Sequence, residues 1–207
     1  MSRSFALAIL AANLTLASAQ TWEFTPTAGY QRMSRRGLGS LSATNGKPTD
    51  IKFQDGYGYG LRLTMNSRGY YGHELGYFLN RPVMNALITP ETGPAVKRTD
   101  RVNVQMAYYS FLAYMMPKNE RWRPYLAGGG QMFQYGAPKF KEYTDGATRN
   151  YGGHFGAGIK LKLVEHLLLR MDFRDYVGGK PYTFDLKTDS GTRLHQFEGT
   201  LGVGFTF

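Results

Sequence analysis

Eight stretches of this chain read as strands, and all but one glycine-rich stretch alternate large apolar residues with small or polar ones. Few folds can use that pattern so many times over. A period of two is the period of a β-strand, whose successive side chains point to opposite faces. Residues 21–31 place Trp22, Phe24, Ala28 and Tyr30 on one face. Residues 55–65 place Tyr57, Tyr59, Leu61, Leu63 and Met65 opposite Gly58, Gly60, Arg62 and Thr64. In residues 70–80, Tyr71, Leu75, Tyr77 and Leu79 stand opposite Gly72, Glu74 and Gly76.

Residues 101–115 read with Val102, Val104, Met106, Tyr108, Leu112 and Tyr114 as the greasy face, which would put Ser110 on it too. Residues 124–134 are too rich in glycine for a face to be chosen. Residues 150–163 set Tyr151, Phe155, Ile159 and Leu161 against His154, Lys160 and Lys162. Residues 167–177 set Leu167, Leu169, Met171 and Phe173 against Arg170, Asp172 and Arg174. The last stretch, 194–207, sets Phe197, Leu201, Val203, Phe205 and Phe207 against Glu198, Thr200, Gly202 and Gly204.

The connections alternate as well. Long segments at 32–54, 81–100, 135–149 and 178–193 take turns with short ones at 66–68, 117–120 and 164–166. Turn-forming Gly, Pro, Asn, Asp and Ser are spread through them. Short turns at one end and long loops at the other are what a transmembrane barrel shows, and about ten residues suffice for a tilted strand to cross. A soluble barrel or sandwich that binds a ligand in the periplasm would instead turn the greasy faces inward. The charges on the opposite faces, and the Tyr, Phe and Trp gathered near strand ends, favour lipid outside. Such a sheet must close, because an open edge in hydrocarbon leaves backbone groups unpaired. The expected fold is all-β, an eight-stranded antiparallel up-and-down transmembrane β-barrel.

The first 19 residues agree with export. Arg3 precedes a mostly apolar run, and Ala17-Ser18-Ala19 is an A-x-A site before Gln20. This is the order of a secretory signal peptide, and the run is too short to span a membrane. Removing 1–19 leaves a single barrel domain, 20–207. The net charge of +10 falls to +9 with the loss of Arg3, and export argues against nucleic acid as the partner. Most of this charge sits in the four long connections, for example Arg35, Arg36, Lys47, Lys97, Arg98, Arg101, Lys139, Lys141 and Lys187. An anionic surface such as lipopolysaccharide is the partner that charge would attract. The chain has no cysteine, which excludes disulfides and thiolate chemistry. No cofactor or metal is expected.

The terminal "GVGFTF", the "RPYLAGGG" at 123–130 and the "LLLRMDFRDY" at 167–176 resemble the small eight-stranded outer-membrane barrels, the OmpA transmembrane domain and its OmpX and opacity-protein relatives. The resemblance covers residues 20–207 and implies location in the cell outer membrane of a Gram-negative bacterium. It also implies that Val203, Phe205 and Phe207 form the signal read by the outer-membrane assembly machinery. No cell-wall-binding domain is expected after Phe207, so the resemblance does not carry cell-wall tethering. A monomer is favoured.

An eight-stranded barrel is just wide enough for its side chains to fill. The expected filling is a charge network of Glu23, Arg62, Glu74, Lys160, Lys162, Arg170, Asp172, Arg174 and Glu198, in which Asp172 reaches Glu198 and Lys160 from between its two arginines. Glu23 and Arg62 are expected near the short-turn ends of adjoining strands. Such a network is a polar plug, and the role expected is structural or surface-interacting, without enzymatic activity. Exchange of salt-bridge partners would make the barrel a narrow gated ion channel, the reading the resemblance adds. A lipid A-modifying enzyme would need a nucleophile, a His and a carboxylate at the outer rim. Ser190, His195 and Asp189 or Asp185 are the candidates. Ser110 is expected on the lipid side with no His nearby, and His154 inward without a serine on its strand.

Overall fold

A computed structural model describes residues 21–33, 50–67, 69–88, 94, 96–118, 120–139, 146–179, 181–182 and 193–207. The signal segment therefore lies outside the described residues, as do Arg35, Arg36, Lys47, Lys141, Asp185, Lys187, Asp189 and Ser190. The strands are β1 (Thr21–Met33), β2 (Asp50–Phe53), β3 (Gly56–Asn66), β4 (Tyr71–Asn80), β5 (Val83–Ile88), β6 (Val96–Arg101), β7 (Val104–Tyr114), β8 (Trp122–Tyr135), β9 (Thr148–Val164), β10 (Leu167–Gly178) and β11 (Leu194–Thr206).

Eight of them close a barrel in the order β1-β11-β10-β9-β8-β7-β4-β3, with β3 returning to β1. Every pairing is antiparallel. The last strand closes on the first: the Trp22 N–H donates to the Phe207 carbonyl and the Phe207 N–H to that of Trp22, both at 3.0 Å. Phe207 thus ends the chain on the seam of the barrel, which answers the edge problem that lipid would pose.

The outer face carries exposed apolar side chains on all eight strands, among them Phe24, Leu61, Leu75, Phe111, Leu126, Phe155, Met171 and Leu201. A continuous apolar belt of this kind is unfit for water and fits a bilayer. Aromatic residues crowd its two margins, with Trp22 and Trp122 at the turn end and Tyr30, Tyr57 and Tyr151 at the loop end.

Two departures from the sequence reading follow from tertiary packing. The long segments 32–54 and 81–100 hold strands: β2, β5 and β6 form a second, three-stranded sheet in the order β2-β5-β6. Ile51 and Phe53 of β2 and Met84 and Ala86 of β5 are buried against Phe78, Met106, Phe133 and Tyr135 of the wall. An apolar core, called the stopper below, therefore sits at the loop end of the barrel.

The second departure is the facing of β7. Val104, Met106, Tyr108, Ser110, Leu112 and Tyr114 point inward, whereas Tyr109 and Phe111 point out. The greasier parity was the inner one, because this strand runs from the apolar stopper into a lumen that uses tyrosine rings. A one-residue error in facing moves every side chain to the other surface. Val102 is buried in the same stopper. In β8, where sequence left the facing open, Arg123, Tyr125, Gln131, Phe133 and Tyr135 point in.

Candidate functional site

The inner surface is the most elaborated part of the molecule. Inward glycines make it possible. Tyr108 lies across Gly76, its cross-strand partner, and Tyr125 lies across Gly158 in the same way. Each glycine leaves room on its own strand for a ring from the next, and those rings in turn wall the charges.

At the centre, six charges meet with their side chains almost fully buried. Arg170 grips Asp172 twice, Nε to Oδ2 at 2.8 Å and Nη2 to Oδ1 at 3.0 Å, and donates to Glu74 through Nη1. Arg174 Nη2 reaches Glu74 Oε1 at 2.6 Å and Asp172 Oδ1 at 3.2 Å. Arg62 lies 2.7 Å from Asp172 Oδ1 and 3.2 Å from Glu198 Oε1. Hydroxyls complete the shell: Thr64 donates to Glu74, Tyr125 donates to Asp172, and Arg62 donates to Thr200. Three guanidinium groups face three carboxylates, so the cluster is neutral. That balance is what burial demands, since an unpaired charge here would be prohibitively costly.

Toward the short turns, Lys160 pairs with Glu23 and donates to Tyr114 Oη at 2.7 Å. Arg123 lies over the Tyr114 ring at 3.5 Å and donates to the carbonyls of Gly69 and Met116. Toward the loops, Ser110 Oγ is 2.8 Å from His154 Nε2, His154 Nδ1 is 3.2 Å from Gln131 Oε1, and Arg174 donates to Ser110 at 3.0 Å. Above these polar layers begins the apolar stopper.

Of the nine network residues named from sequence, eight are buried in the lumen and one is not. Lys162 is exposed beside the β9–β10 turn, where the strand has run past the end of the lumen. Asp172 bridges Arg62, Arg170 and Arg174; Glu198 goes to Arg62 and Lys160 to Glu23 instead. Glu23 pairs in register with Thr64, but its charge partner lies across the lumen. Arg62 belongs to the central cluster and not to the turn end. Ser110 is inside and bonded to His154, two strands away, which is the reverse of the expectation. Arg123 was missed because the glycine run of β8 hid the strand's facing. Its signal was its position two residues before Tyr125, on the same parity.

Of the enzyme candidates, His195 is described. It faces outward and pairs with Asp175 Oδ2 at 2.8 Å, a partner that sequence had not supplied. Among the described residues no group of three or more His, Asp or Glu side chains could hold a metal ion.

No protein-family model and no curated protein matches the chain by sequence. By structure it is similar to the outer membrane protein OprG from Pseudomonas aeruginosa, at 15% identity and a TM-score of 0.55, covering 89% of this chain and 95% of that one. It is similar to Neisserial surface protein A at 12% identity and 0.53, covering 90% and 97%. The outer membrane protein AlkL, solved in DMPC bilayers, matches at 17% identity and 0.51, covering 91% and 89%. The fold is thus that of the small eight-stranded outer-membrane β-barrels, as the sequence resemblance implied.

Proposed function

We propose that the chain is an outer-membrane barrel with a closed lumen, whose work is done at its outer surface and not through its interior. What supports this reading is that the bore is filled at two levels. The neutral charge cluster occupies the middle of the lumen, and the apolar stopper of β2 and β5 occupies its loop end. Ion passage would require both to come apart, and the cluster is held from four different strands.

The outer surface is basic. Lys97, Arg98 and Arg101 stand exposed on β6, the edge of the small sheet, with Arg81 and Lys139 exposed nearby in sequence to its neighbours. Attraction to the phosphates of lipopolysaccharide follows from simple charge. The reading is non-enzymatic. It includes release into the membrane by the assembly machinery through Val203, Phe205 and Phe207, whose side chains all face outward on the closing strand. Phe207→Ala should then slow the appearance of the heat-modifiable form in cells; assembly at the normal rate would remove the signal role.

The direct test is planar-bilayer recording with protein whose boiled and unboiled samples migrate differently in detergent gels. The expected result is a shifted, folded band in the outer-membrane fraction and no discrete conductance. Stable unitary currents from the folded band would overturn the closed-lumen reading in favour of the gated channel.

A further inference from the structure

The outward face of β9, β10 and β11 carries a groove near the loops. Gly153 lies there between Tyr151 and Phe155 on the same outward parity, so two exposed rings stand over bare backbone. A groove of about 650 Å³ follows, running from Phe155 past Gly153 and Val177 to Arg193. Arg149, two residues beyond Tyr151 on the same parity, and Arg193, at the start of β11, are both exposed at its loop end.

A second feature adjoins the groove. Asp175 faces outward directly across from Phe155. One carboxylate oxygen pairs with His195, whose ring stacks on Phe197 at 6.2 Å. The other, Oδ1, is buried and has no hydrogen-bond partner. An acceptor held out of water without a donor is unfavourable, and such groups call for an explanation. Here the His195 ion pair on the other oxygen is what holds the carboxylate in place.

Two chemical demands thus meet at one place: an apolar trough for a chain and two cations for an anion. We propose that this sector binds one molecule of a phosphorylated, acylated glycolipid of the outer leaflet. An acyl chain lies over Gly153 between Tyr151 and Phe155, and a phosphate meets Arg149 and Arg193. The inference rests on the reading that the loop end faces the outer leaflet, and it replaces a diffuse attraction with a defined site.

The test is to refold the barrel into phosphatidylcholine vesicles doped with lipid A, extract it gently, and count bound lipid A by native mass spectrometry. One retained lipid A per wild-type barrel is expected. The double reversal R149E/R193E should lower occupancy about tenfold, given the usual attraction of each cation to an anionic surface. Gly153→Leu should do the same by filling the trough. An added Cβ at Gly153 comes no nearer than 3.6 Å to any neighbour, so this variant should still give the folded, heat-modifiable band. Lys97→Glu with Arg98→Glu on β6 should leave the retained lipid in place. Wild-type retention in both groove variants, with loss in the β6 variant, would overturn the groove while sparing the basic-loop reading. A dimer that Gly153→Leu dissociates would overturn it in favour of a second copy. Absence of the folded barrel from membranes would defeat the outer-membrane reading itself.

Discussion

Replacing Glu74 by alanine should destabilise the folded barrel by roughly 3–5 kcal/mol, the usual result of removing one partner from a buried ion pair. Glu74 accepts from Arg170, from Arg174 and from Thr64. Without it, three guanidinium groups are left with two carboxylates, and the surplus charge has no route to water. The measurement is reversible urea unfolding of the barrel in vesicles, followed by the heat-modifiable gel band. Raising the salt concentration should not rescue the variant, because screening acts on exposed charges far more than on buried ones. The double variant Glu74→Leu/Arg174→Met removes a cation with the anion, and should recover much of the loss. A Glu74→Ala effect of less than about 1 kcal/mol, the scale of an exposed pair, would mean that the cluster is hydrated and the lumen open.

The second large effect concerns a residue with no side chain. Gly76→Val should destabilise the folded barrel by about 3 kcal/mol and sharply lower the yield of the folded band. An added Cβ would fall 2.0 Å from Tyr108 Cζ and 2.3 Å from its hydroxyl oxygen. That ring has nowhere to go: it is buried, with Arg174 over it at 5.0 Å and Arg62 at 5.8 Å. Forcing atoms into a filled core costs about 1–3 kcal/mol and sometimes more, and here it also dislodges the wall of the ion cluster. Gly130→Val is the matched control. It faces outward, its added Cβ would come no nearer than 3.8 Å to any neighbour, and its effect should stay within about 0.5 kcal/mol. Both glycines sit in strands of the same barrel. If the two variants fold equally well, the packing of Tyr108 against β4 is wrong.

The two predictions also separate what could be read along the chain from what could not. All eight barrel segments declared themselves as strands, and six of them declared their facing, because a strand with lipid on one side and a filled lumen on the other must alternate. The inward places of Arg170, Asp172 and Arg174 followed from that alternation alone. So did closure, since period-two strands with one apolar face have no other way to satisfy their edges in hydrocarbon. Even the loop-length asymmetry was written in the spacing of turn residues.

β7 marks the limit. Its inner parity is more apolar than its outer one, because Val104 and Met106 serve the stopper and Tyr108 and Tyr114 serve the charges. Hydrophobicity measures a preference for leaving water and does not say whether lipid or a protein core receives the side chain. The stopper itself was invisible for the same reason, since its β2 and β5 lie more than 30 residues apart and pair only in the folded chain. Partner choice inside the lumen was equally hidden. The alternation places Asp172, Glu198 and Lys160 inside but is silent on height and on reach across the bore, and those depend on strand tilt and stagger in the closed sheet. Only that closure sets Lys160 against Glu23, Arg62 against Glu198, and Ser110 beside His154.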